Sequence, residues 1–197
     1  MTEIVLVRHA ATTWSGSRYC GRSDPPLSDA GRAEAGRLAA ELAPFVVVGT
    51  LLVSSPSIRA RETAKAIASA AGIDHIEPDD RWLEADVGIA EGRTFDEVAE
   101  QAPALADALA AGTLEIDWPG GETHLALAGR VAGAWHDLVD RRRPVIVVTH
   151  AGPLMHALAL AARRPLRDSD LLAPAAYVRV RLAGAGQTSA TVLPSRA

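Results

Sequence analysis

Three short apolar runs lie far apart in this chain, and each leads into residues suited to holding an anion. Residues 4–7 run into Arg8 and His9, residues 51–53 into Ser54, Ser55 and then Arg59, and residues 144–148 into Thr149 and His150. Runs this short and this rich in Val, Ile and Leu predict strands covered on both faces, as in a parallel sheet with helices on either side. In such sheets ligands bind outside the carboxyl ends of the strands, so three ends distant in sequence can converge on one crevice. Two arginines and two histidines gathered there suit a phosphoryl group, because charge-assisted hydrogen bonds to its oxygens are the strong ones.

The stretches between the runs read as helices. Ser28 can cap a helix whose apolar positions include Ala35, Leu38, Ala39 and Leu42, with Pro44 marking its end. Residues 57–72 form a second, closed by Gly72 and carrying Arg59 in its first turn, where free backbone N–H groups also favour an anion. Residues 76–92 read as irregular with one short strand, and 94–109 as weakly helical around Pro103. A long helix is expected over 122–139 after the turn Pro119-Gly120-Gly121. Another follows over 151–162, where Pro153 is tolerable in a first turn. Residues 177–182 and 189–193 read as two closing strands.

At 197 residues, with 48% hydrophobic and 22% charged content, the chain can fill one core, and a single domain over 1–197 is expected. A formal charge of -4 gives no general attraction to nucleic acid or anionic lipid, so affinity for phosphate must come from a local cluster. Cys20 is the only cysteine, which excludes an intrachain disulfide and fits a reducing, cytoplasmic setting. No uninterrupted apolar run reaches the roughly 20 residues of a membrane span. The four tryptophans, Trp14, Trp82, Trp118 and Trp135, are too scattered for a stacking platform and read as core or pocket wall.

A histidine after a strand is more often a capping or loop residue than a catalyst. Here Arg-His and Thr-His close two strands and Arg59 opens a helix after a third, which favours the phosphate reading. The segments VRHAATTW, YCGRSDPPLSDAGRAEA, SSPSIRARETA, LEADVGIAEG, PGGET and VVTHAGPL resemble, in order, the successive motifs of the histidine phosphatase superfamily, the phosphoglycerate mutase-like proteins. The stretch 19–27 is similar in particular to the α-ribazole phosphatase and broad-specificity phosphatase branch.

The resemblance implies a three-layer α/β/α sandwich with a mostly parallel central sheet. It implies that His9 attacks phosphorus and becomes a phosphohistidine, that Arg8, Arg59 and His150 hold the phosphoryl oxygens, and that Glu84 is the general acid, with neither metal nor cofactor. A carboxyl beside a phosphate is pushed towards its protonated form, which suits that role. Thr12, Ser15, Cys20 and Gly21 are further candidates for contact with the substrate, although Thr12 and Ser15 equally suit local turn bonds. Glu62 and Glu91 also fall in motif positions, Glu62 as a support for Arg59 or Arg8.

Several positions depart from the family's pattern. Ala10 and Ala11 follow the first histidine where glycine and a polar residue are usual, Ser15 stands in place of a common asparagine, Ala151 in place of glycine, and Met155 in place of arginine. The expected activity is hydrolysis of a small soluble phosphate ester. Phosphoglycerate mutase-type transfer and a non-catalytic phosphate-binding module are the alternatives. The oligomeric state, a homodimer included, is left open by the sequence.

Overall fold

A computed structural model of the chain describes residues 2–182 and 190–194. One six-stranded sheet runs through it in the order β3-β2-β4-β1-β5-β6. The strands are β1 (Thr2–Arg8), β2 (Leu51–Ser54), β3 (Ile76–Pro78), β4 (Val145–Thr149), β5 (Tyr177–Leu182) and β6 (Ala190–Pro194). The first four are mutually parallel, while β5 pairs antiparallel with β1 and β6 antiparallel with β5. β1 and β2 do not pair with each other; each pairs with β4.

Strand alternation explains the layers. Val5 and Val7 of β1, Leu52 of β2 and Ile146 and Val148 of β4 face α1 (Asp29–Leu42) and α2 (Ile58–Ala71), where they meet Leu38, Leu42, Ala60, Ala64 and Ile67. Ile4, Leu6, Val53, Val145 and Val147 face the other way, towards α5 (His124–Asp140) and α6 (Ala151–Ala162), meeting Leu127, Val131, Leu138, Leu154 and Leu158. The sheet is thus covered on both faces, as the near-continuous apolar runs require.

Local signals hold with small shifts. Ser28 caps α1 by accepting the Gly31 N–H, and Gly72 ends α2 in the left-handed region at φ 67°. The weakly helical stretch is two helices, α3 (Phe95–Gln101) and α4 (Pro103–Ala110), because Pro103 lacks the N–H that would continue the first and is tolerated in the opening turn of the second. α5 begins at His124, two residues later than expected: Thr123 caps it, while Glu122 is engaged with Arg130 and the Asp86 N–H. β2 and β4 each reach one residue further than their apolar runs, to Ser54 and Thr149. Of the final predicted strand, Ser189 lies outside the described residues. No helix among those described is long and apolar enough to cross a membrane.

Candidate active site

The register of the sheet brings the three strand ends together. Arg8 is opposite Thr149, the His9 N–H donates to the Thr149 carbonyl at 2.9 Å, and the Ser55 N–H donates to the Val148 carbonyl at 2.9 Å. His9, Ser55 and His150 therefore sit side by side at one end of β4, and α2 delivers Arg59 to the same place.

Arg59 organises the centre. Its side chain is 1% exposed, and its Nε–H is shared between His9 Nε2 at 3.3 Å and His150 Nδ1 at 3.2 Å. Nη1 donates to the Ser23 carbonyl at 2.7 Å and Nη2 to the Gly21 carbonyl at 2.8 Å. The Asp24 carboxylate lies 3.6 Å from Nη1 and also accepts the Ile58 N–H at 2.8 Å. The anion site expected at the start of α2 is thus taken by the protein's own Asp24. Among the described residues no hydrogen bond or ion pair joins Glu62 to Arg59 or Arg8: the Arg59 donors go to the loop 21–24 and the two histidines, and Glu62 Oε2 is buried without a hydrogen-bond partner.

The histidine tautomers follow from their partners. His9 Nδ1 lies 2.7 Å from the Ala10 carbonyl, which can only accept, so Nδ1 carries the proton and Nε2 keeps its lone pair. Burial, with Arg59 second, pushes the His9 imidazole down to about 3, which leaves it neutral across the physiological range. His150 is fully buried and its ring lies 5.0 Å from that of His9. Its Nδ1 accepts from Arg59, so its Nε2–H donates to Ser55 Oγ at 2.8 Å, with Ser57 Oγ at 3.3 Å. Burial and then Arg59 hold His150 well below the ordinary histidine range. His150 therefore backs Arg59 and does not line the open cleft.

That cleft, of about 330 Å³, is lined among others by Arg8, His9, Thr12, Ser15, Arg59 and Glu84. Arg8 has a buried Nε with no hydrogen-bond partner, and among the described residues no acidic side chain forms an ion pair with it. Its charge is available to an incoming anion. Burial lowers its pKa and the nearby Glu84 carboxylate opposes that effect.

Thr12 and Ser15 reach the cleft while holding a turn: Ser15 Oγ accepts the Thr12 N–H at 2.8 Å and Thr12 Oγ1 accepts the Trp14 N–H at 3.2 Å. Cys20 also lines the cleft, and burial pushes its thiol up to about 11, so it stays protonated. Gly21 contributes main chain instead of cleft surface. A Cβ there would lie 2.3 Å from the Ala85 carbonyl oxygen, so only glycine lets this loop approach the segment bearing Glu84.

Glu84 accepts the Gly152 N–H at 3.2 Å and the Ala85 N–H at 2.9 Å. Its backbone is held from α5: Arg130 donates to the carbonyls of Arg81, Leu83 and Glu84 while pairing with Glu122 at 2.7 Å. Glu91 accepts N–H groups from Gly21, Arg22 and Ser23 and so fixes the loop whose carbonyls bind Arg59. Of the tryptophans, Trp82 and Trp135 are core, Trp14 lines the cleft and Trp118 the pocket beyond it.

Asp24 and Arg130 position this site without having been singled out for it, and Glu91, which falls in a motif position, does so by holding the loop 21–23. Asp24 stands inside a motif segment with nothing local to mark its role, and nothing in the sequence ties Arg130 to a residue 46 positions away.

Residues 4–192 match the model of the histidine phosphatase superfamily, branch 1. The chain belongs to that superfamily. It is 33% identical over 157 residues to phosphoserine phosphatase 1 of Hydrogenobacter thermophilus, covering 78% of this chain and 73% of that protein. It is 34% identical over 151 residues to the Escherichia coli protein called "Probable phosphoglycerate mutase GpmB", covering 75% and 69% respectively. Among solved structures, a mycobacterial glucosyl-3-phosphoglycerate phosphatase matches with a TM-score of 0.78 and 27% identity over 92% of this chain and 93% of that one. The three-layer fold expected from the superfamily is the one observed.

Proposed function

We propose that this superfamily member is a phosphomonoesterase acting through a phosphohistidine on His9. The observation that carries the reading is the His9 Nε2 lone pair. His9 lines the cleft, its ring is held neutral by burial and is aimed by the hydrogen bond from Nδ1–H to the Ala10 carbonyl, and Nε2 accepts the Arg59 Nε–H, a contact that an incoming phosphoryl group would take over.

In this mechanism Nε2 attacks phosphorus, the N–P bond forms and the P–O bond to the alcohol breaks. Arg8 and Arg59 hold the phosphoryl oxygens as charge moves onto them, an electrostatic contribution that needs no reorganisation of the site. Glu84 gives its proton to the leaving alkoxide. The carboxylate so formed then takes a proton from water, whose oxygen attacks phosphorus and releases His9 and inorganic phosphate. His150 keeps Arg59 in place, and Thr12 and Ser15 shape the rim. No step draws on a metal or a cofactor, so a chelator is expected to leave turnover unchanged.

Two relatives are named as phosphatases and one as a mutase. Hydrolysis is favoured here because Glu84 lies at an open cleft that water can enter.

The test is turnover of p-nitrophenyl phosphate by the wild type beside His9→Ala. His9→Ala should abolish phosphate release, and equal rates in the two proteins would remove the covalent mechanism. A mutase would show itself by isomerising 3-phosphoglycerate without releasing phosphate.

A further inference from the structure

Beyond Glu84 the cleft opens into a second pocket of about 310 Å³, and the two share Tyr19, Cys20 and Glu84 in their walls. The phosphate side is cationic, with Arg8, Arg18 and Arg59 among its lining residues. The far side is not: Leu109, Leu114, Ile116, Trp118, Leu127 and Met155 form its walls, and no lysine or arginine lines it.

The pocket's two histidines are committed to one another. His156 Nδ1 donates to the Gly152 carbonyl at 2.9 Å, so its Nε2 accepts from His124 Nδ1 at 3.3 Å. The remaining ring nitrogen, His124 Nε2, lies 3.9 Å from Glu115 Oε1. Burial also lowers the pKa of His156, which keeps it neutral. The lining holds no arginine or lysine to pair with a negative charge, its polar groups being Tyr19, Cys20, Thr113, Trp118 and the two histidines, and its one lining carboxylate is Glu84.

Since Glu84 is placed to protonate the leaving oxygen, the rest of the leaving group must lie on its far side. We propose that this pocket is the leaving-group subsite and that the substrate is the phosphate monoester of an apolar, uncharged alcohol. The inference rests on the phosphomonoesterase reading. A leaving group bearing a carboxylate, as in phosphoserine or 3-phosphoglycerate, would bring an unpaired charge against apolar walls beside Glu84, which is costly. An alkyl or aryl group gains by leaving water there.

Straight-chain alkyl phosphates from ethyl to decyl test this, because their leaving groups differ little in acidity and only the buried length changes. We expect kcat/KM to rise by about threefold or more per methylene until the pocket is full, and the rise to flatten in Leu114→Asp. Hexyl phosphate should exceed phosphoserine and 3-phosphoglycerate. The matching alkylphosphonates, measured by calorimetry, report affinity without turnover. Hydrolysis with both kcat/KM and affinity independent of chain length would overturn the subsite and leave the phosphatase standing. Preference for either carboxylated ester over hexyl phosphate would also overturn it. Affinity that climbs with chain length while no phosphate is released would support the subsite and refute the hydrolytic reading.

Discussion

Arg59 donates its Nε–H to Nε2 of His9 at 3.3 Å, so the side chain proposed to grip the phosphoryl group touches the atom proposed to attack it. The two functions meet in one contact. The same guanidinium is pinned by the carbonyls of Gly21 and Ser23, which fixes its plane against His9.

Arg59→Lys should therefore be far from conservative. Lysine keeps the charge but has no planar fork to span two loop carbonyls and the histidine pair. We expect kcat on p-nitrophenyl phosphate to fall by about 10²-fold or more. Circular dichroism on the same protein shows whether the fold is kept, and near-wild-type kcat would mean that charge alone suffices.

Stability should depend on pH through the buried histidines. The unfolded chain binds a proton on each histidine as pH falls through about 6.5, whereas folded His9 resists protonation down to about 3 and His150 is also held neutral. The unfolded state thus binds more protons between those limits, and stability is lost as pH falls through that window. Each excess proton contributes a slope of about 1.4 kcal/mol per pH unit. Denaturant titrations from pH 7 to pH 4 should show this slope, and His9→Asn should make it shallower; an unchanged slope would place the proton uptake elsewhere.

Arg130 should act on catalysis through Glu84 without touching substrate. The double variant Arg130→Gln, Glu122→Gln removes its grip on the carbonyls of residues 81, 83 and 84 and leaves no lone carboxylate behind. Loss of a placed general acid matters most for a poor leaving group. We expect kcat on an alkyl phosphate to drop by about tenfold or more, with a much smaller change on p-nitrophenyl phosphate. Equal losses on both substrates would mark Arg130 as merely structural.

Most of the frame was legible because it follows from short-range patterns. The apolar runs ending at Val7, Val53 and Val148 give strands buried on both faces, and Ser28, Gly72 and Pro103 set helix ends by local backbone chemistry. The identities of His9, Arg59 and His150 as neighbours also followed, since strand ends on one side of a parallel sheet must converge. The placement of His150 behind Arg59 was not legible, because it depends on which ring nitrogen meets which partner in three dimensions. Glu62 misled for the same reason: its place in a motif says nothing of the loop carbonyls that take the Arg59 donors in its stead. Gly88 and Gly121 show the middle case. Their backbones approach so closely that a Cβ on Gly88 would lie 2.6 Å from the Gly121 nitrogen, which gives the two glycine-bearing motifs a reason that neither reveals alone.

The position of β4 between β1 and β2 has a consequence for how the protein comes into being. His9, Arg59 and Glu84 all emerge from the ribosome before Val145, yet the strands that carry His9 and lead to Arg59 meet only through β4. A nascent chain lacking that strand holds most of the groups proposed to act on phosphate with no surface on which to assemble them. Translation must pass residue 150 before the proposed nucleophile and its arginine can be joined through β4, so the centre is assembled by closing a long loop, after α1 and α2 have been made.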